Sequence, residues 1–191
     1  MMVLVAIIAY ILGSIPSGYI IGKSLFKTDI RSLGSGNIGS TNALRNFGKK
    51  AGLATFILDI LKGFIAVLIG DKLAGYNGMT LAFLVVVIGH MYSVFLHLKG
   101  GKGVATSFGA LLYIDYKFAL LLIGIFALVV IISHIVSLGS LVGSFASLVG
   151  GYIRYGNSYL FWVLLIITML IFYSHRSNIK RLINGEESKI F

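Results

Sequence analysis

The sequence predicts an all-α polytopic integral membrane protein with seven transmembrane helices. Hydrophobic residues make up 58% of the 191 residues and charged residues only 12%, and a soluble domain of this length cannot bury so apolar a composition in one core. The apolar residues also fall into seven runs, most of them near the ~20 residues that a spanning helix needs. The net charge of +10 lies mainly in a few loops. We expect the chain, 1–191, to form a single transmembrane domain.

The seven runs differ in charge and length. The first is uncharged and is followed, not preceded, by cations, which predicts a retained helix and not a cleaved signal peptide. The second contains Asp59 and Lys62. The fourth and sixth are short for full spans, so each could be a partial or re-entrant helix. The runs are Met1–Gly22, Ala51–Ile69, Met79–Leu98, Val104–Ile114, Phe118–Ser133, Leu138–Ile153 and Ser158–Ser174.

The distribution of Lys and Arg predicts the orientation. Seven crossings with the N-terminus outside place about 12 of the 16 cations in inner loops and three in outer loops. If the run 104–114 were re-entrant, every later loop would change sides and the tally would fall to about 10 against five. The positive-inside rule therefore favours seven crossings with the C-terminus in the cytoplasm. The polar loops then lie on the cytoplasmic side.

A polar loop at Gly34–Arg45 contains a GxGxxG pattern. A dinucleotide-binding fold is excluded, because the acidic residue at the matching distance, Asp59, lies in an apolar helix and no βαβ unit surrounds the glycines. Glycines still let backbone N–H groups converge on an anion, and arginine binds oxyanions in a bidentate manner. An ordinary polar turn is the alternative. The candidate phosphate ligands here are Ser35, Gly36, Asn37, Asn42 and Arg45.

A second glycine-rich stretch, Lys99–Ser107, opens the fourth run. It is not a Walker A loop, because Lys102 is followed by Gly and Leu96 occupies the place of the first Gly. It does place glycines and two lysines at a helix N-terminus, where backbone N–H groups and the helix dipole favour anions. A flexible turn with lysines among lipid headgroups is the alternative. The candidate phosphate ligands are Gly100, Gly101, Lys102, Gly103 and Thr106.

The tail Ser174–Glu186 forms the third stretch. His175 and Asn178 are three residues apart, so they share one helical face at the membrane exit. A basic stop-transfer tail is the alternative interpretation. Ser140 lies at the start of the sixth run, on the same predicted side of the membrane. The candidate catalytic residues are Lys102, Ser140, His175 and Asn178.

Charged and imidazole groups also occur inside the runs. Asp59 and Lys62 are three residues apart on one helix and are predicted to form a structural ion pair that fixes helix packing. His90 and His134 are predicted to form interhelical hydrogen bonds and not to bind a ligand.

The residue inventory excludes several chemistries. The chain has no Cys, so no thioester intermediate can form on it. Its six acids include no plausible carboxylate pair for a divalent metal. The His-x4-Asp arrangement of thioester-dependent acyltransferases is missing as well. A pocket without metal, cofactor or nucleic acid remains, and its glycines, cations, Ser, Asn and His suit phosphate-bearing substrates.

These stretches together resemble the bacterial acyl-phosphate:glycerol-3-phosphate acyltransferase family, PlsY. The resemblance covers the whole chain, from the uncharged first helix to the Gly-x-Glu tail. One departure is His97-Leu98, where relatives more often carry Gly-Phe. The stretches are Gly34–Arg45, Asp59–Gly63, Lys99–Thr106 with His90 upstream, Ser137–Ser140 and His175–Glu186.

The resemblance implies an acyl-phosphate-dependent glycerol-3-phosphate 1-O-acyltransferase. A long-chain acyl group would move from acyl phosphate to the primary hydroxyl of sn-glycerol 3-phosphate, giving lysophosphatidic acid and phosphate in phospholipid biosynthesis. The family needs no metal and no cofactor. Its implied partners are acyl phosphate, glycerol 3-phosphate and membrane lipid. The implied location is the bacterial cytoplasmic (inner) membrane, with the active site facing the cytoplasm.

Two phosphate-bearing substrates need two groups of ligands. We expect one phosphate to lie on Ser35, Asn37, Lys102 and the backbone of Gly100–Gly103. The other phosphate, or the oxyanion, would be held by Arg45, Ser140, His175 and Asn178. For the proton of the glycerol hydroxyl, His175 is the protein candidate. The competing hypothesis is that a substrate phosphate, with a second pKa of about 6, accepts it.

Two other classes of protein share some of these features. A small anion or phosphate transporter would also place cations in inner loops, but the outer half of the chain offers it no polar path. A non-catalytic protein that binds anionic lipids would explain the basic inner face. Lipid binding would not require Asn37, Ser140 or Asn178.

Overall fold

The computed structural model describes residues 1–190, which form helices and connecting loops, so the all-α prediction is confirmed there. The chain divides into two compact units, Met1–Ile114 and Asp115 onward; the single domain over 1–191 stays a prediction. The first unit contains α1 (Met2–Ser14), α2 (Ser17–Phe26), α3 (Ser40–Phe47), α4 (Lys49–Met91) and α5 (Val104–Ile114). The second contains α6 (Tyr116–Ser133), α7 (Val136–Tyr155), α8 (Tyr159–Ser174) and α9 (Arg176–Ile183).

The first apolar run is one candidate membrane span, Met2–Phe26, but it is broken at Pro16 into α1 and α2. Proline has no N–H to continue the helical ladder, and it pushes the preceding residue out of the helical region. Ile15 accordingly has φ −57° and ψ 115°. The break turns the Ile15 carbonyl towards Lys62, whose Nζ donates to it at 2.8 Å.

The second and third runs are the two arms of α4, which reverses direction at Ala74 and Gly75. Neither residue has helical φ and ψ, and Gly75 has φ +57°. A Cβ built on Gly70 would lie 2.5 Å from the carbonyl oxygen of Gly78. In a straight helix, eight residues would separate these positions by about 12 Å. The two arms therefore pack against each other as an antiparallel pair.

Helix length decides which segments could cross a membrane. Four helical segments within residues 1–190 are long and apolar enough: Met2–Phe26, Lys49–Leu96, Tyr116–Ser133 and Val136–Tyr155. A fifth results if α8 and α9, bent by 60°, count as one. The short sixth run is in fact the 20-residue α7, whereas α5 has only 11 residues. At 1.5 Å per residue, α7 is about 30 Å long, which suffices for a full span.

A buried polar cluster lies where α2 meets both arms of α4. Lys62 Nζ and Asp59 Oδ1 are 2.9 Å apart, which confirms the predicted ion pair. Ser17 Oγ donates to the same Asp59 oxygen at 2.9 Å. His90 Nδ1 lies 3.7 Å from it. The side chains of the pair are only 6% and 3% exposed, so each charge depends on its partners and not on water.

In the second unit, α7 packs against α6 and α8. Asp115 precedes α6 and accepts the N–H of Phe118 at 3.0 Å, which caps the helix. Its other carboxylate oxygen accepts hydrogen bonds from Arg154 and from the hydroxyl of Tyr155 at the end of α7. These contacts join the start of α6 to the end of α7.

Candidate active site

The predicted site residues divide between the two units. The first unit holds the residues of both glycine-rich loops, namely Ser35, Gly36, Asn37, Asn42, Arg45, Gly100, Gly101, Lys102, Gly103 and Thr106. The second unit holds Ser140, His175 and Asn178.

Asn42 shapes the first loop from inside. Its Nδ2 donates to the carbonyls of Ile30, Leu33 and Asn37 at 3.2, 3.1 and 2.8 Å, and its Oδ1 accepts the N–H of Ser35 at 3.2 Å. The side chain is buried, and these bonds satisfy its amide. The geometry therefore gives Asn42 a positioning role instead of the predicted direct contact with phosphate.

The outer side of the first loop carries the groups that a ligand could reach. Ser35 and Gly36 are exposed, and Asn37 is half-buried, with its Oδ1 accepting the N–H of Gly39 at 2.8 Å. Arg45 is exposed on α3, so part of the predicted loop is a helix. A guanidinium on a short helix next to exposed loop groups can bind an oxyanion.

Two N–H groups of the Lys99–Gly103 loop that were predicted to bind phosphate form hydrogen bonds within the chain instead. The N–H of Gly100 donates to the carbonyl of Met91, and the N–H of Gly101 donates to that of His90, both at 2.9 Å. These two groups anchor the loop to α4 and are used within the chain. Lys102 is half-buried just before α5, whose first-turn N–H groups point towards its N-terminal end. Lys102 and the start of α5 therefore remain the candidate anion ligands of this loop.

Thr106 is buried too deeply for the predicted contact with a phosphate. It is fully buried, and a Cβ on Gly63 of α4 would lie 2.1 Å from its carbonyl oxygen. Its Oγ1 is buried without a hydrogen-bond partner. Thr106 therefore packs α5 against α4 and does not present its hydroxyl at the surface.

An apolar cluster ties the two loops of the first unit together. Leu96, three residues before Lys99, is buried against Ile30, Ile38 and Ala43. The chain then passes through His97 and Leu98, whose φ values of +51° and +61° lie in the left-handed region. Glycine adopts this region most easily, so a Gly at position 97 would fit this backbone with less strain than His. The cluster fixes the positions of both loops within one unit.

In the second unit, Asn178 belongs to a carboxylate-centred network. Asn178 Nδ2 donates to Glu187 Oε1 at 2.6 Å, and Ser137 Oγ donates to the same oxygen at 2.7 Å. Arg181 Nε donates to Glu187 Oε2 at 2.6 Å. The tail is also held by the N–H of Ile190, which donates to the carbonyl of His134 at 2.8 Å. Glu187 thus fastens the tail to α7 and α9.

Glu187 is absent from the predicted site, although the Gly-x-Glu tail that contains it is part of the resemblance. Gly185, with φ +73°, turns the chain back after α9. The turn lies four residues after the helical Arg181, and Glu187 follows two residues later. This spacing is the signal that could have indicated a returning carboxylate. The partner Ser137 is 50 residues away in sequence, and the sequence alone gives no indication of it.

We expect acid to release the tail. Burial alone would raise the pKa of Glu187, but the hydrogen bonds from Arg181, Ser137 and Asn178 outweigh it and hold the pKa below the ordinary 4.5. A lowered pKa in the folded state gives stabilisation that is present above pH 4.5 and lost as the pH falls through the lower value. Hydrogen-exchange protection factors for residues 184–190 should therefore fall below about pH 4.5.

The matched variant for that experiment is Glu187→Gln, which keeps the shape but removes the charge. It should already show reduced protection at neutral pH, because charge-assisted hydrogen bonds are worth about 1.5–3 kcal/mol, and it should lack the acid transition. An identical transition in wild type and variant would assign the acid effect to other groups.

His175 and Ser140 are both buried in the second unit. His175 Nδ1 lies 2.8 Å from the carbonyl oxygen of Ile171. A carbonyl only accepts, so Nδ1 carries the proton and Nε2 is the nitrogen with the lone pair in the neutral ring. Ser140 Oγ donates to the carbonyl of Val136 on its own helix at 3.0 Å. The imidazole is thus held in one orientation, in which Nε2 accepts a proton as a general base in the neutral ring, or donates to a phosphate oxygen when the ring is protonated.

Comparison with known proteins identifies the family. The family model described as glycerol-3-phosphate acyltransferase matches residues 3–185. A glycerol-3-phosphate acyltransferase of Thermoanaerobacter pseudethanolicus is 46% identical over 188 residues, covering 98% of this chain and 95% of that protein. The crystal structure of PlsY, an integral membrane glycerol 3-phosphate acyltransferase, in its glycerol 3-phosphate form superposes with a TM-score of 0.95 at 38% identity, covering 100% of this chain and 96% of that one.

The lysophosphatidic acid form of PlsY gives a TM-score of 0.91 at 37% identity, covering 100% and 95% of the two chains. Together with the apolar helices described above, these similarities establish a membrane protein. A match over nearly the whole length, at identities well above those that show only a fold, determines the family. The chain belongs to the glycerol-3-phosphate acyltransferase family, PlsY.

Proposed function

We propose that this protein transfers a long-chain acyl group from acyl phosphate to the 1-hydroxyl of sn-glycerol 3-phosphate. One observation carries the acyl transfer: PlsY, similar over the whole chain, has been solved in a glycerol 3-phosphate form and in a lysophosphatidic acid form. These two molecules differ by one acyl ester, so they are the acceptor and the product of a single transfer. Acyl phosphate as the donor is what the resemblance implies, and the absence of Cys, which excludes an acyl-thioester on the enzyme, is consistent with it.

In the proposed reaction, the glycerol O1 attacks the acyl carbonyl carbon. A new ester C–O bond forms, the C–O bond to the phosphate breaks, and the phosphate leaves with the bonding electron pair. The proton of the hydroxyl ends on the released phosphate, so no further reactant is needed. The mixed anhydride is already activated, which makes a protein nucleophile unnecessary. The protein then has to bind charge, orient the hydroxyl and stabilise the oxyanion.

Charge neutralisation is assigned mainly to the first unit. Lys102, the first turn of α5 and Arg45 supply positive groups on loops that the Leu96 cluster and Asn42 hold in place. Ser35 and Asn37 add neutral hydrogen-bonding groups. From the second unit, His175, Asn178 and Ser140 are proposed to act on the phosphate or the oxyanion, with Glu187 orienting Asn178.

The acyl chain has a suitable apolar surface in the first unit. An open groove of 630 Å³ lies between α1, the second arm of α4 and the turn that precedes the Lys99–Gly103 loop. It is lined by Ala6, Ile7, Tyr10, Ile11, Val85, Val94 and Phe95. The hydroxyl of Tyr10 is bonded to the carbonyl of Tyr92 at 2.8 Å, which leaves an apolar lining. A groove open to lipid suits a chain that enters from the bilayer.

The proposed topology is seven crossings, with the N-terminus outside and the active site facing the cytoplasm, in the bacterial inner membrane. The reversal of α4 supports it, because it divides the Lys49–Leu96 segment into two arms. The absence of Cys allows a direct test with single-cysteine variants. An impermeant thiol reagent should label Lys72→Cys in intact cells and should label Lys180→Cys only after lysis.

One assay tests the reaction. Purified protein is incubated with acyl phosphate and glycerol 3-phosphate, without metal or CoA, and lysophosphatidic acid is measured. Formation of this product supports the proposal, and its absence contradicts it. Flux of phosphate into empty liposomes without acyl release would favour the transporter class instead, and binding to anionic vesicles without either activity would favour the lipid-binding class.

The proton acceptor can be tested with His175→Asn. We favour acceptance by a substrate phosphate, with His175 binding phosphate, and therefore expect KM to rise while kcat at saturation stays near normal. Asn retains a donor but cannot titrate near neutral pH. A fall in kcat of several orders of magnitude, with correct folding, would instead assign the base to His175.

A further inference from the structure

His90, at the end of α4, lies directly against the Lys99–Gly103 loop. The residue is only 4% exposed, and its carbonyl accepts the N–H of Gly101 at 2.9 Å. A Cβ built on Gly101 would lie 2.1 Å from His90 Nε2. Any side chain at 101 would therefore meet the imidazole, whose ring occupies the space beside this part of the loop.

The ring is backed on its other side by the buried ion pair. His90 Nδ1 lies 3.7 Å from Asp59 Oδ1, an oxygen that Lys62 and Ser17 also contact at 2.9 Å. Nδ1 itself is buried without a hydrogen bond. The position of the ring is thus set by packing between the Asp59–Lys62 pair and Gly101.

We propose that His90 is a positioning residue for substrate binding. Its ring packs as a wedge between the Asp59–Lys62 pair and Gly101, and it thereby determines the position of Lys102 and of the start of α5. This inference rests on the proposed function, because it assumes that this loop binds a substrate phosphate. His90 does not touch the substrate in this scheme, since it is buried beneath the loop. A shift of about 1 Å in a binding group is enough to weaken its contact strongly.

Two neighbouring glycines offer a matched comparison. A Cβ on Gly100 would lie 2.0 Å from the backbone carbonyl oxygen of His90, which no side-chain substitution can move. The three atoms nearest to a Cβ on Gly101 all belong to the ring of His90. The backbone of Gly101 also lies outside the left-handed region, so the nearest obstacle to alanine there is the imidazole and not backbone strain. Removing the ring should therefore relieve Gly101→Ala but not Gly100→Ala.

The experiment compares kcat and KM of wild type, Gly101→Ala, His90→Ala and the double variant. We expect Gly101→Ala to raise KM for a phosphate substrate about tenfold or more with a smaller change in kcat. Adding His90→Ala should bring KM back to within about threefold of His90→Ala alone. The same addition to Gly100→Ala should leave KM unimproved. No recovery of Gly101→Ala, or equal recovery of both glycine variants, overturns the inference.

Single variants at 90 keep the test valid if a glycine variant fails to fold. His90→Ala should raise KM several-fold, whereas His90→Gln, which fills much of the ring's volume, should stay near wild type. The control is Thr80→Val, another buried polar residue on the same arm, bonded to Tyr76 of its own helix; its KM should not change. Equal KM values for His90→Ala and wild type contradict the wedge.

Titration of inorganic phosphate into the same variants separates the two proposals. If wild type forms no lysophosphatidic acid, the proposed function fails, while the pattern of phosphate affinities still tests the wedge. Recovery of affinity in the Gly101→Ala double variant, and not in the Gly100→Ala double variant, supports the inference. Affinities that are equal in all variants overturn it.

Discussion

Replacing Asp59 by Asn is expected to lower the free energy of unfolding by about 3–5 kcal/mol, because it leaves the Lys62 ammonium buried without its counter-charge. The two side chains are 3% and 6% exposed and their charged atoms are 2.9 Å apart. Lys62 also donates to the Ile15 carbonyl at 2.8 Å, but a single carbonyl dipole does not replace a carboxylate. SDS unfolding in mixed micelles, followed by circular dichroism, measures the change.

A double variant separates the charge effect from the loss of shape. Lys62→Met should destabilise by a similar amount, since it leaves the Asp59 carboxylate buried without its ammonium. Asp59→Asn with Lys62→Met leaves no buried charge and should be more stable than either single variant. A double variant that loses the sum of the two single losses would contradict an interacting pair.

A half-buried pair with more access to water serves as the reference. Asp29 and Arg31 also form a salt bridge, at 2.7 Å, but their side chains are 26% and 35% exposed. The hydrogen bond from Arg31 lowers the pKa of Asp29 to about 2, yet water screens exposed charges well. Asp29→Asn should therefore change the free energy of unfolding by no more than about 1 kcal/mol.

The sequence alone predicts the Asp59–Lys62 ion pair, because both residues lie on one helix and side chains three residues apart on a helix are neighbours. The same holds for the apolar runs, each of which contains a helix. Hydropathy and helical spacing are local properties, so they can be determined from the sequence without the tertiary structure. The break at Pro16 is local too, and the rule that proline interrupts a helix would have predicted it.

The loop contacts could not be predicted in this way. Gly100 and Gly101 have N–H groups that a glycine-rich motif assigns to a ligand, but the carbonyls of Met91 and His90 use them. The sequence predicts Asn42 as a phosphate ligand, but its amide donates to the carbonyls of Ile30, Leu33 and Asn37 within the chain. Composition gives the types of group near a phosphate. Which of these hydrogen-bond donors can reach the phosphate depends on tertiary packing.

Replacing Lys102 by Met is expected to reduce kcat/KM by about 10²–10³, roughly 3–4 kcal/mol of transition-state binding. Both substrates carry phosphate, and the leaving group gains charge as its bond to the acyl carbon breaks. Lys102 is half-buried beside the first turn of α5, where screening by water is weaker than at an exposed position. Its loss therefore removes a charge that acts more strongly on the transition state than on the bound substrates.

Lys99 provides the control within the same loop, because it is exposed where Lys102 is half-buried. Lys99→Met removes the same formal charge and should change kcat/KM only a few-fold, with an effect that disappears at high salt. If Lys99→Met and Lys102→Met lost activity equally, both lysines would act only through a general positive potential that attracts anions. A loss confined to Lys102→Met, with unfolding unchanged and little relief at high salt, requires a specific contact between Lys102 and phosphate.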